Sequence, residues 1–151
     1  MPHSPNYILF ICGHNAGRSQ MGQAFFNHLK VDYPFVAAHY EAISCGTEPG
    51  PRLNPEVVEA MQELGIDMSD PSIYFPKPIK HTDIVSRSAA IKRVILVCDN
   101  KCLLPPGITA PTQRWNLTDP YKQPLEVVRQ IRDATKEKVI HFLEELESNK
   151  Q

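Results

Sequence analysis

Apolar residues fall along the chain in two patterns, short unbroken runs and longer stretches in which they recur every three or four positions. Tyr7-Ile8-Leu9-Phe10-Ile11-Cys12 and Arg93-Val94-Ile95-Leu96-Val97-Cys98 are runs of strand formers, as expected of parallel strands covered on both faces. A further strand is predicted from Phe35 to Cys45, and a short last one from Gln113 to Leu117. Helical spacing begins at Arg18-Ser19, where Met21, Ala24, Phe25 and Leu29 share a face. Asn54 as N-cap and Pro55 at the first helical position start a second helix, whose stripe Val57, Val58, Met61, Leu64 stops at Gly65. Pro71, Pro76 and Pro78 break the stretch between Asp67 and Pro78, and Pro105, Pro106 and Pro111 mark another loop. From Pro124 a long amphipathic helix runs with Val139, Phe142, Leu143 and Leu146 inward, while Glu144, Glu145 and Glu147 are assigned to its solvated face. Alternating strands and helices predict a single-domain, doubly wound α/β fold over residues 1–151. It has a four-stranded parallel sheet, helices on both faces and right-handed crossovers.

Composition fits that picture and removes several functions. With 42% hydrophobic and 22% charged residues in a chain of 151, one globular core is expected. Sixteen Lys and Arg against seventeen Asp and Glu give a formal charge of -1, so no global basic field holds nucleic acid or an anionic membrane, and any anion site must be local. The run Tyr7–Cys12 is too short to span a bilayer or form a signal-peptide core and lacks a basic leader, which predicts a cytoplasmic protein, and a monomer is expected. Four cysteines are too few for a secreted disulfide scaffold and read as thiols.

The first strand runs into Cys12-Gly13-His14-Asn15-Ala16-Gly17-Arg18-Ser19 and then into a helix. In an open parallel sheet ligands bind at the carboxyl end of a strand and the amino end of the next helix. Successive backbone N–H groups and the helix dipole can cradle a tetrahedral oxyanion there, with Arg18 adding a two-pronged contact. The same positive potential favours a sulfur anion, and Ser19 can donate to it, which makes Cys12 a nucleophile beneath a bound oxyanion. The plainer alternative is a buried strand-end cysteine followed by an ordinary phosphate-binding turn. Asn15 is expected to hold left-handed backbone through its side-chain hydrogen bonds, and His14 to lend its amide rather than its ring. Cys98-Asp99-Asn100-Lys101-Cys102 admits three readings: metal ligation, packing, or a thiol relay. Zinc ranks low because no nearby His or Cys pair completes a set of four, and no metal is expected.

On the loop Cys12–Ser19, and on His14 to Met21 in particular, the chain resembles the low-molecular-weight protein tyrosine phosphatase superfamily in its arsenate reductase branch. The resemblance continues through Gly46-Thr47-Glu48-Pro49-Gly50, Asn54 to Val58, Gly65-Ile66-Asp67, the cysteine pair, and Trp115 to Pro120, so it covers nearly the whole chain. It implies substrate binding by Gly13, His14, Asn15, Ala16, Gly17, Arg18 and Ser19, with Cys12 attacking arsenate or phosphate. Asp119, ahead of Pro120, is implied as the general acid, although Asp-Pro is also a common turn start. Cys98 is implied as the resolving thiol and Cys102 as the one that passes the disulfide outward. No bound cofactor is implied. The electron donor is an external thiol reductant, either thioredoxin or a small thiol with a glutaredoxin-like protein. Cys45, where a small apolar residue is usual, reads as packing, and Trp115 as core. Tyr121 departs from the reductase pattern toward the phosphatases, whose aromatic entrance grips a phenyl ring, whereas the Glu48-Pro49-Gly50-Pro51 loop keeps the reductase form. The reading is therefore an arsenate reductase, with an aryl or tyrosine phosphatase as runner-up and a non-catalytic oxyanion-binding module as a third.

Overall fold

The structure, a computed structural model, describes residues 5–97 and 103–150. Strands β1 (Asn6–Cys12), β2 (Tyr40–Gly46), β3 (Ile91–Leu96) and β4 (Thr112–Arg114) form one sheet in the order β2-β1-β3-β4, every neighbouring pair parallel. Helices α1 (Arg18–Leu29), α2 (Pro34–His39), α3 (Pro55–Gln62), α4 (Thr82–Val85) and α5 (Leu125–Ser148) connect and flank them. In this order the connections leaving β1 and β3 diverge, so a crevice opens between the carboxyl ends of those two strands, and Cys12 ends β1 there.

Alternation along β1 sorts its side chains between two apolar layers. Ile8, Phe10 and Cys12 join the larger one with Met21, Phe25 and Phe26 of α1, Val57 and Met61 of α3, and Val139, Phe142 and Leu143 of α5. Leu9 and Ile11 face the other side with Cys45, Val94 and Ile84 of α4. Helices flank both faces, unequally: α1, α2, α3 and α5 on the first and the four-residue α4 on the second. Trp115 is core, with its ring 5.6 Å edge-on from Phe10. The register between β1 and β3 slips after Tyr7, which pairs with Ile91 while Ile8 pairs with Arg93. Lys92 is passed over, so Ile91 and Val94 both reach the second layer although they are three residues apart.

Several expected elements differ. Residues Pro34–His39 are helix rather than strand, and β2 starts only at Tyr40. Pro34 suits a helix start, but Glu147 of α5 settles it: its carboxylate accepts from the N–H of Phe35 at 3.1 and 3.2 Å and of Val36 at 3.1 Å. Glu147 thus belongs to a tertiary cap and not to a solvated face. Leu64 lies past the end of α3 and is 37% exposed, so the inward stripe ends at Met61. The last strand is shorter than expected and ends at Arg114. α4 had no counterpart in the sequence reading; it is capped by the His81 side chain, which accepts from Asp83 N–H at 3.1 Å. Among the described residues no helix is long and apolar enough to cross a membrane.

Because one carboxylate satisfies two orphan amides across 112 residues of sequence, Glu147→Ala should destabilise the fold by about 1–2 kcal/mol. Urea unfolding would read this as a lower midpoint at unchanged slope. An unchanged midpoint would mean water caps α2 equally well.

Candidate active site

Every carbonyl from Cys12 to Gly17 accepts a hydrogen bond. The Cys12, Gly13, His14 and Ala16 carbonyls accept from the N–H groups of Thr47 (3.2 Å), Glu48 (2.8 Å), Gly50 (2.9 Å) and Asn54 (2.9 Å). Asn15 O accepts from Gln20 Nε2 at 3.1 Å, and Gly17 O from Met21 N–H at 2.9 Å. In a planar trans peptide the next residue's N–H points opposite to the carbonyl, so the amides of residues 13–18 point away from these donors. Asn15 N–H lies 3.2 Å from Cys12 Sγ, and no protein acceptor takes the other five among the described residues. The loop is therefore an anion-binding nest that opens into α1.

Asn15 makes this loop possible. It is fully buried at φ +52°, the left-handed conformation expected for it. Its side-chain amide donates to Ser19 Oγ (2.7 Å) and Ser44 Oγ (3.1 Å), while its Oδ1 accepts from Lys77 N–H (3.0 Å) and Gln20 Nε2 (3.1 Å). Ser44 in turn donates to Gln23 Oε1 at 2.6 Å. A side chain at position 46 would put its Cβ 2.7 Å from Gly13 O, so only glycine lets the loop lie against the end of β2.

Cys12 is 2% exposed, its Sγ 2.9 Å from Ser19 Oγ. The Arg18 guanidinium is buried beside it; Nη1 donates to Leu117 O at 3.1 Å and Nη2 lies 3.7 Å from Asp119 Oδ2. Asp119 is half exposed and steadied by Tyr121 N–H, which donates to Oδ1 at 3.0 Å. These groups border one cleft of about 510 Å³, also lined by Arg52, Leu53, Pro120 and Tyr121. His14 is exposed at its mouth, with its ring bonded to Glu48 O at 3.2 Å through Nδ1 and 6.1 Å from the Tyr121 ring. Gly17 and Asn54, read in the sequence as loop residue and N-cap, also hold the acid loop. Gly17 leaves room for Pro120, whose Cγ would lie 2.7 Å from a Cβ, and Asn54 donates to Pro120 O at 3.3 Å besides capping α3. The N-cap signal of Asn54 was visible in the sequence; its second bond was not.

The cleft is lined by Cys12, His14, Ala16, Gly17, Arg18 and Asp119, whereas Asn15 and Ser19 of the same loop are fully buried behind it. Cys98 and Cys102 lie outside the described residues. Cys45 is fully buried on the opposite face of the sheet, where burial pushes its thiol from an ordinary 9.0 up to about 12, Lys77 opposing and Cys12 adding to the shift. That is a packing thiol. Among the described residues no three His, Cys, Asp or Glu side chains converge to hold a metal ion.

Residues 7–151 match the sequence profile of the low molecular weight phosphotyrosine protein phosphatase family. A glutaredoxin arsenate reductase from Synechocystis sp. is 31% identical over 138 residues, covering 90% of this chain and 95% of that one. A solved arsenate reductase in its phosphate-binding state superposes with a TM-score of 0.74 at 29% identity, covering 93% and 98%. A thioredoxin-dependent arsenate reductase from Corynebacterium glutamicum gives a TM-score of 0.62 at 29% identity, with 95% of this chain and 64% of that one covered.

Gly17→Ala should push the Asp119-Pro120 loop away from the sulfur and lower aryl phosphate hydrolysis roughly 10- to 100-fold with the thermal midpoint little changed; an unaltered rate would show that the contact does not position the acid. Cys45 has a pH signature. Its folded pKa lies above the unfolded one, so its contribution to stability is complete below about pH 9 and is lost as pH rises toward 12. Cys45→Val should flatten that alkaline loss in urea titrations, and parallel curves for the two proteins would refute the assignment.

Proposed function

The chain belongs to the low-molecular-weight phosphotyrosine protein phosphatase family, and we propose that within it the protein is an arsenate reductase working through thiol chemistry. The observation that carries this reading is the nest of inward amides around a buried thiol, with Arg18 and Asp119 across the same cleft. The names of the relatives support arsenate over a phosphate ester.

In the proposed reaction arsenate rests on the amides of residues 13–18 and on Arg18, which exchanges its contact with Asp119 for the oxyanion. Cys12 attacks arsenic, and a hydroxyl departs as water with the proton supplied by Asp119. Arsenic is still pentavalent at this stage. The Cys98 thiolate then attacks the Cys12 sulfur; the S–S bond forms, the S–As bond breaks, and its electron pair stays on arsenic, which leaves as arsenite. Cys102 attacks Cys98, frees Cys12 and leaves a Cys98–Cys102 disulfide for an external thiol. The balance is one arsenate and two thiols to one arsenite, one disulfide and one water. Thioredoxin, or a small thiol with glutaredoxin, serves as reductant; relatives named for each carry both options.

The residues flanking the relay segment support its place in this scheme. Val97 N–H donates to Ile11 O at 2.8 Å, which brings the chain ahead of Cys98 beside the end of β1. Leu103 N–H donates to Thr47 Oγ1 at 3.2 Å, and Thr47 N–H in turn holds Cys12 O. Both ends of the segment therefore border the nucleophile loop.

One observation favours the second reading, a phosphatase. Tyr121 stands 61% exposed at the mouth of a cleft far larger than a tetrahedral oxyanion. Such a cleft has room for an aryl ester, and water rather than Cys98 would complete the reaction.

The deciding experiment follows NADPH consumption with arsenate and thioredoxin plus its reductase, or glutathione plus glutaredoxin, beside aryl phosphate hydrolysis on the same preparation. Reduction well above hydrolysis is expected; efficient hydrolysis with neither donor supporting reduction would make the protein a phosphatase. Cys98→Ser should abolish multiple-turnover arsenate reduction and leave ester hydrolysis within about twofold of wild type, since only the second step uses that thiol. Sustained reduction by this variant would rule out the relay.

A further inference from the structure

The cleft of about 510 Å³ is far larger than the tetrahedral oxyanion that its base is shaped for, so most of it is open to an organic group that accompanies the anion. Its outer walls are two segments, residues 50–56 and 119–122, joined where Asn54 Nδ2 donates to Pro120 O at 3.3 Å. Arg52 stands two residues before that junction and Lys122 two residues after it, and both line the cleft. Two residues of extended chain span at most about 7 Å, so both long side chains start close enough to the junction to meet on one group.

Neither cation has a counter-ion. Among the described residues Arg52 and Lys122 make no ion pair, and the five N–H donors of Arg52 make no hydrogen bond. The Lys122 ammonium lies 5.3 Å from the centre of the Tyr121 ring, and that ring is 6.1 Å from the ring of His14. Lys122 also holds φ +59°, a left-handed conformation that Gly or Asn adopts at less cost, so the lysine stands against the local backbone preference. Of the carboxylates lining the cleft, Asp119 is paired with Arg18, which leaves Glu56 alone against Arg52 and Lys122. In a chain of formal charge -1 the outer cleft therefore carries a surplus of positive charge. Gripping a neutral ring uses none of it.

We propose that Arg52 and Lys122 form an outer subsite that binds a carboxylate, carried by the organic reactant that shares the cleft with the oxyanion. The proposal rests on an oxyanion being bound over Cys12 and deepens that reading. A guanidinium takes a carboxylate through two parallel N–H donors, and the ammonium adds a point charge. Tyr121 by itself accepts any aryl group, whereas the two cations favour a body that bears a negative charge. Two reactants of the proposed chemistry can bring that carboxylate: the leaving group of a phosphate ester, or a small thiol that reduces the arsenic adduct.

The test is titration calorimetry with benzylphosphonate and p-carboxybenzylphosphonate, two non-hydrolysable oxyanions that differ by one carboxylate. Wild type should bind the carboxylated probe about fivefold more tightly, an advantage that fades at high salt. Arg52→Gln and Lys122→Asn should each reduce the advantage and the double variant abolish it, while Arg52→Lys keeps most of it. Equal affinity of wild type for the two probes, or an advantage that survives in the double variant, would overturn the subsite alone. Binding of neither probe would overturn the oxyanion site and the subsite together. Two rate comparisons identify the source of the carboxylate: phenyl phosphate against p-carboxyphenyl phosphate in hydrolysis, and mercaptoethanol against mercaptopropionate in arsenate-dependent thiol oxidation. The pair whose carboxylate preference falls in Arg52→Gln names the reactant, and a fall in neither would refute the proposal. Calorimetry needs no turnover, so a protein with the predicted advantage but no reductase activity would refute the function and leave the subsite in place.

Discussion

A buried sulfur that must carry negative charge and receive a second anion cannot share its space with backbone oxygens. In the loop Cys12–Ser19 that constraint is met by tying six consecutive carbonyls to donors elsewhere, four of them backbone amides of residues 47–54. Much of the surrounding structure follows from this. Residues 47–54 must run alongside the loop, so the end of β2 needs a residue without a side chain at Gly46. The chain must reverse within the loop, so Asn15 adopts φ +52° and is fixed there by four polar partners. The shape of the loop is in this sense set largely by residues that do not line the cleft.

The same economy governs the acid. Asp119 follows the three-residue strand β4, which anchors little by itself, and its loop is held from the other side by Leu117 O on Arg18, Pro120 against Gly17 and Asn54 on Pro120 O. Acid, arginine and nucleophile loop are thus fastened to one another more than to the sheet, so a displacement of any one is transmitted to the others. The contact between Arg18 and Asp119 adds an ion pair to that set of fastenings.

The sequence disclosed what depends on neighbouring residues and concealed what depends on distant ones. β1 and β3 were legible because continuous apolar runs leave no other placement, and the loop was legible because strand, Gly/Asn turn and helix are contiguous. The helix Pro34–His39 was hidden because its amides are capped by Glu147 of α5, and apolar residues next to β2 looked like more strand. Leu64 was misplaced because helical periodicity does not report where a helix stops packing. Nothing in the sequence marks Gln20 or Lys77; only the tertiary fold buries them around Asn15 and Phe75. The second bond of Asn54 was equally invisible, since it spans 66 residues.

On the proposed function, reductase and phosphatase share their first step on this scaffold, in which the cleft binds a tetrahedral anion, presents sulfur and offers a proton. What separates the two reactions is the group that reaches the adduct next, a thiol taking the sulfur or water taking the central atom. The nucleophile loop cannot encode that choice, because every one of its polar groups is committed to the anion or to its own shape. The choice therefore has to be made by elements at the border of the cleft. Tyr121 at its mouth favours an aryl ester, whereas Val97 and Leu103, the described residues on either side of the cysteine pair in sequence, are bonded to Ile11 and Thr47 next to the same loop. An exposed aromatic adds only affinity for one class of leaving group. A second thiol delivered to the sulfur would change which bond breaks, and that is why the proposed function rests on the cysteine pair rather than on the tyrosine.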